Sequence, residues 1–502
     1  MFNGCTNLSY VKALFTTTPS DDYTKDWLAG VAATGTFVKS AEATWNVVGT
    51  NGVPEGWTIV VDGIVPVESV SLDKTSLSLM QETGAVLTAT VSPDNATDPS
   101  VSWTSSNEGV VTVDQTGKLL ARGIGSANVT VTTTDGGKTA TCAVTVTEAV
   151  PGQMYFTITS ETAGNTISFT QLEDNNVPTV SGNFWYSLDG GATWTSIGTW
   201  GDLAGFSQTL DRNESLLLKG ELDKTCFGYK IGIPTAATVS GNIMSLVSGD
   251  SFASVTELDA KYAFYSLFDG SLVTDASRLV LPATELTDFC YSNMFFGCSG
   301  LTSAPALPAT SLAESCYFSM FQNCINLGSA PVLPATTMAQ ASYGMMFDGC
   351  KKLTTAPELS ATVLADHCYF GMFWDCSNLT SAPELPVTEL ADGCYKFMFF
   401  KCSSLTSAPE LPATTLAAGC YERMFWNCTN LSYVKALFTT PPSDDYTLGW
   451  LADVAETGTF VKSLDATWNV TGANGVPEGW TIETVEGTAS GSSPEEIGYE
   501  EW

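Results

Sequence analysis

Leu379-Thr380-Ser381-Ala382-Pro383-Glu384-Leu385-Pro386-Val387-Thr388-Glu389-Leu390-Ala391-Asp392-Gly393-Cys394-Tyr395-Lys396-Phe397-Met398-Phe399-Phe400-Lys401-Cys402 is one unit of a repeat, and its reading decides the second half of the chain. Cys298, Cys324, Cys350, Cys376, Cys402 and Cys428 recur every 26 residues, and Met294-Phe295 through Met424-Phe425 keep the same step. A second ladder runs through Cys290, Cys316, Cys368, Cys394 and Cys420, with Ser342 at the vacant rung. Such a period over six units is the mark of stacked repeats, none of which buries its apolar face alone. Within the unit, Pro383 and Pro386 suit a brief extended segment. From Thr388 or Glu389 onward, Leu390, Cys394, Tyr395, Met398, Phe399 and Cys402 fall at a spacing that predicts a helix with one apolar face. Tyr262–Leu281 reads as a degenerate first unit, with Ser271 in place of the cysteine.

The pattern Cys-x-x-Leu-Thr-Ser-Ala-Pro-x-Leu-Pro-Ala-Thr-x-Leu-Ala-x-x-Cys-Tyr-x-x-Met-Phe resembles the BspA-like leucine-rich repeats of bacterial surface proteins, over Tyr262 to Leu437. The spacing predicts a solenoid of stacked 26-residue strand–helix coils, and the resemblance implies a surface-exposed binding or adhesion protein, with no catalytic residues to carry over. The 26-residue step is longer than the commoner unit of that family.

Residues 1–59 align without gaps to 424–482, with 48 of 59 positions identical. The later copy follows the last repeat and reads as the cap on its exposed end. Met1 is equivalent to Met424, in mid-repeat, so the expectation is a fragment or an internal start in a longer chain; a genuine start with a cap left by recombination is the alternative.

Two β-rich stretches lie between the copies. Residues Val67–Val146 alternate apolar and polar residues in short runs, which predicts a small sandwich. Val91-Ser92-Pro93, Val101-Ser102-Trp103, Ser105-Ser106-Asn107, Val113-Asp114, Gly117 and Gly125 resemble the group 2 bacterial immunoglobulin-like domain, with Trp103 as a core residue. In the next stretch, Ser187-Leu188-Asp189-Gly190-Gly191-Ala192-Thr193-Trp194 resembles the Asp box of sialidases, a hairpin turn away from the chemistry.

The expected architecture is therefore multidomain, α+β with all-β parts: residues 1–63 a solenoid cap, 64–149 the immunoglobulin-like β-sandwich, 150–240 a second β-rich module, 241–437 the leucine-rich repeat solenoid, 438–486 its cap, and 487–502 a flexible acidic tail.

Twenty basic against 53 acidic side chains leave a net charge of −33, which repels nucleic acid and anionic membranes. No run approaches the ~18 apolar residues that cross a bilayer. The single histidine, His367, reads as a solvent-facing neighbour of Cys368 and not as a nucleophile's base. The cysteines lack the close pairs of a zinc site; disulfides between repeats are the other alternative, and buried free thiols the favoured reading. No cofactor fingerprint is visible, and no catalytic residue or metal ligand is assigned. Just after each Met-Phe pair stand Phe296, Gln322, Asp348, Trp374, Phe400 and Trp426, positions that vary while the core pattern repeats. Phe296, Trp374, Phe400 and Trp426 are the candidate ligand-binding aromatic stripe; the competing reading is that they fill gaps. The functional expectation is non-enzymatic recognition of a protein or glycan on a host or neighbouring cell, at the cell surface or secreted. A phage virion or tail-fibre protein is the first alternative, and a glycan-processing enzyme the second.

Overall fold

The computed structural model describes residues 1–173 and 176–486; the acidic tail lies outside the described residues. The chain forms two compact units, Met1–Glu148 and Ala149–Trp502.

The first unit opens with three parallel strands, Tyr10–Ala13, Gly35–Lys39 and Trp57–Val61, over a core of Phe37, Trp45, Trp57 and Val53. Lys39 is buried there because its ammonium donates to the Trp45 carbonyl and to Asn46 Oδ1, each at 2.7 Å. A β-sandwich follows. One sheet orders Ser76–Met80, Thr139–Thr147, Gly125–Thr133 and Val101–Ser105; another orders Gly84–Val86, Lys118–Ala121 and Val111–Val113. The strict alternation of Val129, Val131, Cys142, Val144 and Val146 turns one face inward onto Trp103, which is buried.

The second unit begins with a six-stranded sheet ordered Thr195–Thr199, Gly182–Ser187, Ser215–Leu222, Phe156–Ser160, Ala237–Asn242 and Val273–Val280, facing a three-stranded one. Its edge strand Val273–Val280 belongs to the first repeat and pairs in parallel with Ala237–Asn242. The hydrophobic core therefore runs unbroken from Phe156 into the repeats and on to Trp480. Ser271, where later repeats have cysteine, donates to the Ile231 carbonyl at 2.6 Å and accepts from Ile233 N–H.

The repeats overturn the expected strand–helix solenoid. Among the described residues the α-helices are Ser245–Ser248 and Asp444–Thr447, four residues each and both outside the repeats. Where a helix was expected at 388–402, the backbone turns continuously from 392 to 401, and Gly393, Phe397 and Lys401 all have left-handed φ, between 59° and 63°. The same three phases are left-handed in neighbouring repeats, as at Phe289, Asn293 and Gly297. Apolar pairs spaced by four satisfy a helical pattern over one or two turns, but a left-handed residue every fourth position cannot lie in an α-helix. The expected strand at Ser381–Pro386 is reduced to a single bridge, Thr355↔Ser381, because the prolines have no N–H to extend a ladder. After the strand Val273–Val280, the described repeats are thus turns and isolated β-bridges, which overturns the leucine-rich solenoid of strand–helix coils.

What holds the repeats is an alternating ladder. Phe289, Tyr291, Asn293, Phe295 and Gly297 donate their amides to Glu314, Cys316, Phe318, Met320 and Gln322 of the next repeat at 2.8–3.0 Å. The amides between them, Cys290, Ser292, Met294, Phe296 and Cys298, close turns three residues back. Inside, tyrosines Tyr291 to Tyr421 stack at 5.8–6.1 Å and phenylalanines Phe295 to Phe425 at 5.5–5.8 Å. Each thiol of Cys298 to Cys428 donates to a phenylalanine carbonyl of the preceding repeat at 2.9–3.2 Å. The hydroxyls of Tyr291, Tyr317 and Tyr343 are buried without a partner.

Two outcomes follow. Phe347→Ala should destabilise the second unit by about 3–5 kcal/mol, whereas Tyr317→Phe, which removes an unsatisfied buried hydroxyl, should leave stability unchanged or raise it; denaturant midpoints of the two variants check this. Thirteen of the fourteen cysteines are buried and Cys5 is exposed, all of them unpaired. Burial pushes thiols such as Cys316 and Cys420 up to about 12. A thiol reagent should therefore modify Cys5 alone in the native chain and the other thirteen only after unfolding.

Candidate functional site

The turn geometry that buries Met-Phe pairs sends the next side chain outward, so Phe296, Gln322, Asp348, Trp374, Phe400 and Trp426 form one column. Their carbonyls are fixed by amides of the preceding repeat: Gly349 donates to Trp374, Asp375 to Phe400 and Lys401 to Trp426, at 2.7–2.8 Å. All six side chains are half-buried.

The structure brings three of the four sequence-predicted residues together. Trp374 and Phe400 lie 4.6 Å apart by ring centroid, and Phe400 and Trp426 5.9 Å apart. Phe397 stacks on Trp374 at 5.0 Å, and Phe370 meets Phe397 edge-on at 5.7 Å. Phe296 stands apart, separated along the column by Gln322 and Asp348.

Sequence reasoning missed the cations. The Arg423 guanidinium lies 5.5 Å from the Phe397 ring centroid and 5.0 Å from that of Trp426; Lys401 is 5.4 Å from Phe400 and Lys396 is 5.7 Å from Phe397. In a chain with only 20 basic residues, three flanking the Met-Phe positions of adjacent repeats was the available signal. Glu422 holds two of them, contacting Lys396 Nζ at 2.7 Å and Arg423 Nη1 at 3.3 Å. The Trp426 indole donates to Asp453 Oδ2 at 2.8 Å. Gly371 and Gly449 are left-handed beneath this cluster, where a Cβ would meet the Trp374 ring at 3.5 Å and the Trp426 ring at 3.3 Å. Cation–aromatic packing of this kind contributes roughly 0.5–2 kcal/mol per pair and orders the half-buried rings.

His367 and the Asp-box turn are the remaining candidates. His367 is exposed at a left-handed turn position, while the adjacent Cys368 is buried with its thiol pushed up to about 12. At the Asp-box turn, Asp189 accepts from Thr193 N–H at 2.8 Å and Thr193 Oγ1 at 2.5 Å, and Ser187 Oγ accepts from Gly191 N–H at 2.9 Å. Trp194 packs edge-on to Tyr155 at 4.7 Å with the Lys219 ammonium 4.5 Å from its ring centroid.

Asp348 is the one titratable group of the column. Burial raises its carboxyl to about 6, against the opposing hydrogen bond from Gln322 Nε2 at 2.6 Å. A folded value above the unfolded one means the native state binds the proton more tightly, so this group's contribution to stability falls as pH rises from about 4 through about 6. Asp348→Asn should flatten that part of the stability–pH profile, as thermal melts across pH 4–7 would show.

Comparison with known proteins identifies one module. Residues 66–144 match the bacterial Ig-like domain (group 2). A lacto-N-biosidase of Bifidobacterium bifidum is 54% identical over 79 residues, 15% of this chain and 7% of that protein. A minor capsid protein of Enterobacteria phage T3 is 39% identical over 88 residues, covering 17% of this chain and 20% of its own length. An Ig-like virion protein of Serratia phage KSP90 is 32% identical over 114 residues, 22% of this chain and 42% of the relative. The chain thus spans less than half the length of each. With its two sheets, buried Trp103 and alternating strands, the stretch 66–144 is a group 2 bacterial immunoglobulin-like domain.

Proposed function

We propose that this chain is a non-enzymatic recognition protein and that the aromatic face of its last repeats is the contact surface. The observation that carries this reading is the contiguous cluster of Phe370, Trp374, Phe397, Phe400 and Trp426, half-buried, fixed by the backbone ladder and flanked by Lys396, Lys401 and Arg423. Rigid, half-buried rings suit the flat apolar side of a sugar or the side chains of a protein surface at little entropic cost. The immunoglobulin-like domain fits a spacer or accessory adhesive module beside it. The place of action is the bacterial surface or the virion. Two relatives bear virion or capsid names, which gives the phage reading weight comparable to that of the cell-surface adhesin.

The test is binding of the intact chain to a glycan array and to whole bacterial cells, with a Trp374→Ala/Trp426→Ala variant alongside. Loss of the two rings should weaken binding at least tenfold, as about 1.4 kcal/mol would give, with circular dichroism unchanged. Unaltered binding by the folded variant would place recognition elsewhere.

A further inference from the structure

The duplicated cap shows what covers a face that one copy leaves open. Both copies build the same parallel sheet in the same register, Tyr10↔Thr36 in the first and Tyr433↔Thr459 in the second. In the second copy the outer edge of the first strand is taken up by the last repeat. Ala408 donates to the Tyr433 carbonyl at 2.9 Å and Leu411 to Lys435 at 3.0 Å; Leu437 and Thr439 donate back to Leu411 and Thr414 at 2.9 and 2.8 Å. The Tyr421 ring closes over Phe438 and Trp450, at 6.2 and 6.1 Å.

In the first copy the equivalent surface is a groove of about 830 Å³ lined by residues that include Met1, Leu8, Tyr10, Val11, Phe15 and Trp27. Leu14 is 50% exposed where Leu437 is 6% exposed. Of the fourteen residues lining the groove, thirteen are identical in the covered copy; Thr18 for Pro441 is the exception. The differences between the copies gather instead at outward turn positions, with Asn3, Gly4, Asp26 and Gly30 standing where the second copy has Trp426, Asn427, Gly449 and Asp453.

We infer that the open face of the first unit is a seat for the uncapped end of a stack of this same 26-residue repeat. The occupant pairs with the Tyr10–Ala13 edge through a Leu411-like segment and places a Tyr421-like ring over Phe15 and Trp27, a form of strand addition with an apolar anchor. A second copy of this chain is a poor occupant. Its own stack end is already covered by its second cap, and exchanging caps opens one such face for every face it closes.

The experiment adds a second copy of residues 346–423 directly before Met1 of the full chain and follows amide exchange at Leu14 and Thr16, the equivalents of Leu437 and Thr439. Exchange should slow at least tenfold, and the slowing should vanish when the added copy carries Leu411→Asp and Tyr421→Asp. Equal exchange with and without the extension overturns the inference, as does concentration-dependent slowing in the unextended chain, which would assign the face to self-association. A second variant does not depend on the extension folding. Phe438→Asp/Trp450→Asp unseats the second cap and frees a stack end, so these chains should associate, and adding Phe15→Asp/Trp27→Asp should return them to monomers; a cap-unseated chain that stays monomeric overturns the inference.

Discussion

Alternate amides of each repeat point along the stack and donate to the next repeat, while the amides between them close turns within their own. This division satisfies a continuous buried backbone with neither helix nor extended sheet. Its condition is a left-handed residue at every fourth position, which for a residue other than glycine costs roughly 1–2 kcal/mol. Phe397, Lys401 and Arg423 accept that conformation because the ladder and the aromatic columns on either side fix the backbone around them. Cysteine suits its rung for a related reason: its neutral thiol is small, apolar and still able to donate to a phenylalanine carbonyl.

A stack of this kind needs both ends closed, and the chain closes them differently. At the start, the strand Val273–Val280 joins the repeats to the sheet of the preceding β-rich module, so the core passes through without a break. At the end, the second copy of the cap brings Phe438 and Trp450 against Tyr421, with Trp468 stacked on Phe438. The buried Lys462, held by the Ala466 and Trp468 carbonyls, fixes the loop that carries Trp468. Lys39 repeats the arrangement in the first unit.

Much of this was legible in the sequence. The 26-residue period, the buried Cys, Tyr, Met and Phe positions and the duplicated segment followed from spacing and residue type, and the immunoglobulin-like domain from a family resemblance. The conformation of the repeat did not. Cys394, Met398 and Cys402 are spaced by four, which over so short a run reads as helical; the counter-signal was glycine at fixed phases, as in Gly297, Gly349, Gly371, Gly393 and Gly419. The aromatic stripe was half legible. Its outward column could be read from variation between repeats, but the cations over the rings and the isolation of Phe296 depend on how neighbouring repeats register, which no single unit encodes.

The most direct test of the account is the detection of scalar couplings across backbone hydrogen bonds by NMR in the repeat region. Couplings from the Tyr395 amide to the Cys420 carbonyl and from the Phe399 amide to the Met424 carbonyl are the predicted result, as are turn couplings from Met398 to Tyr395. Couplings between residues four apart along 388–402 would show a helix and contradict it.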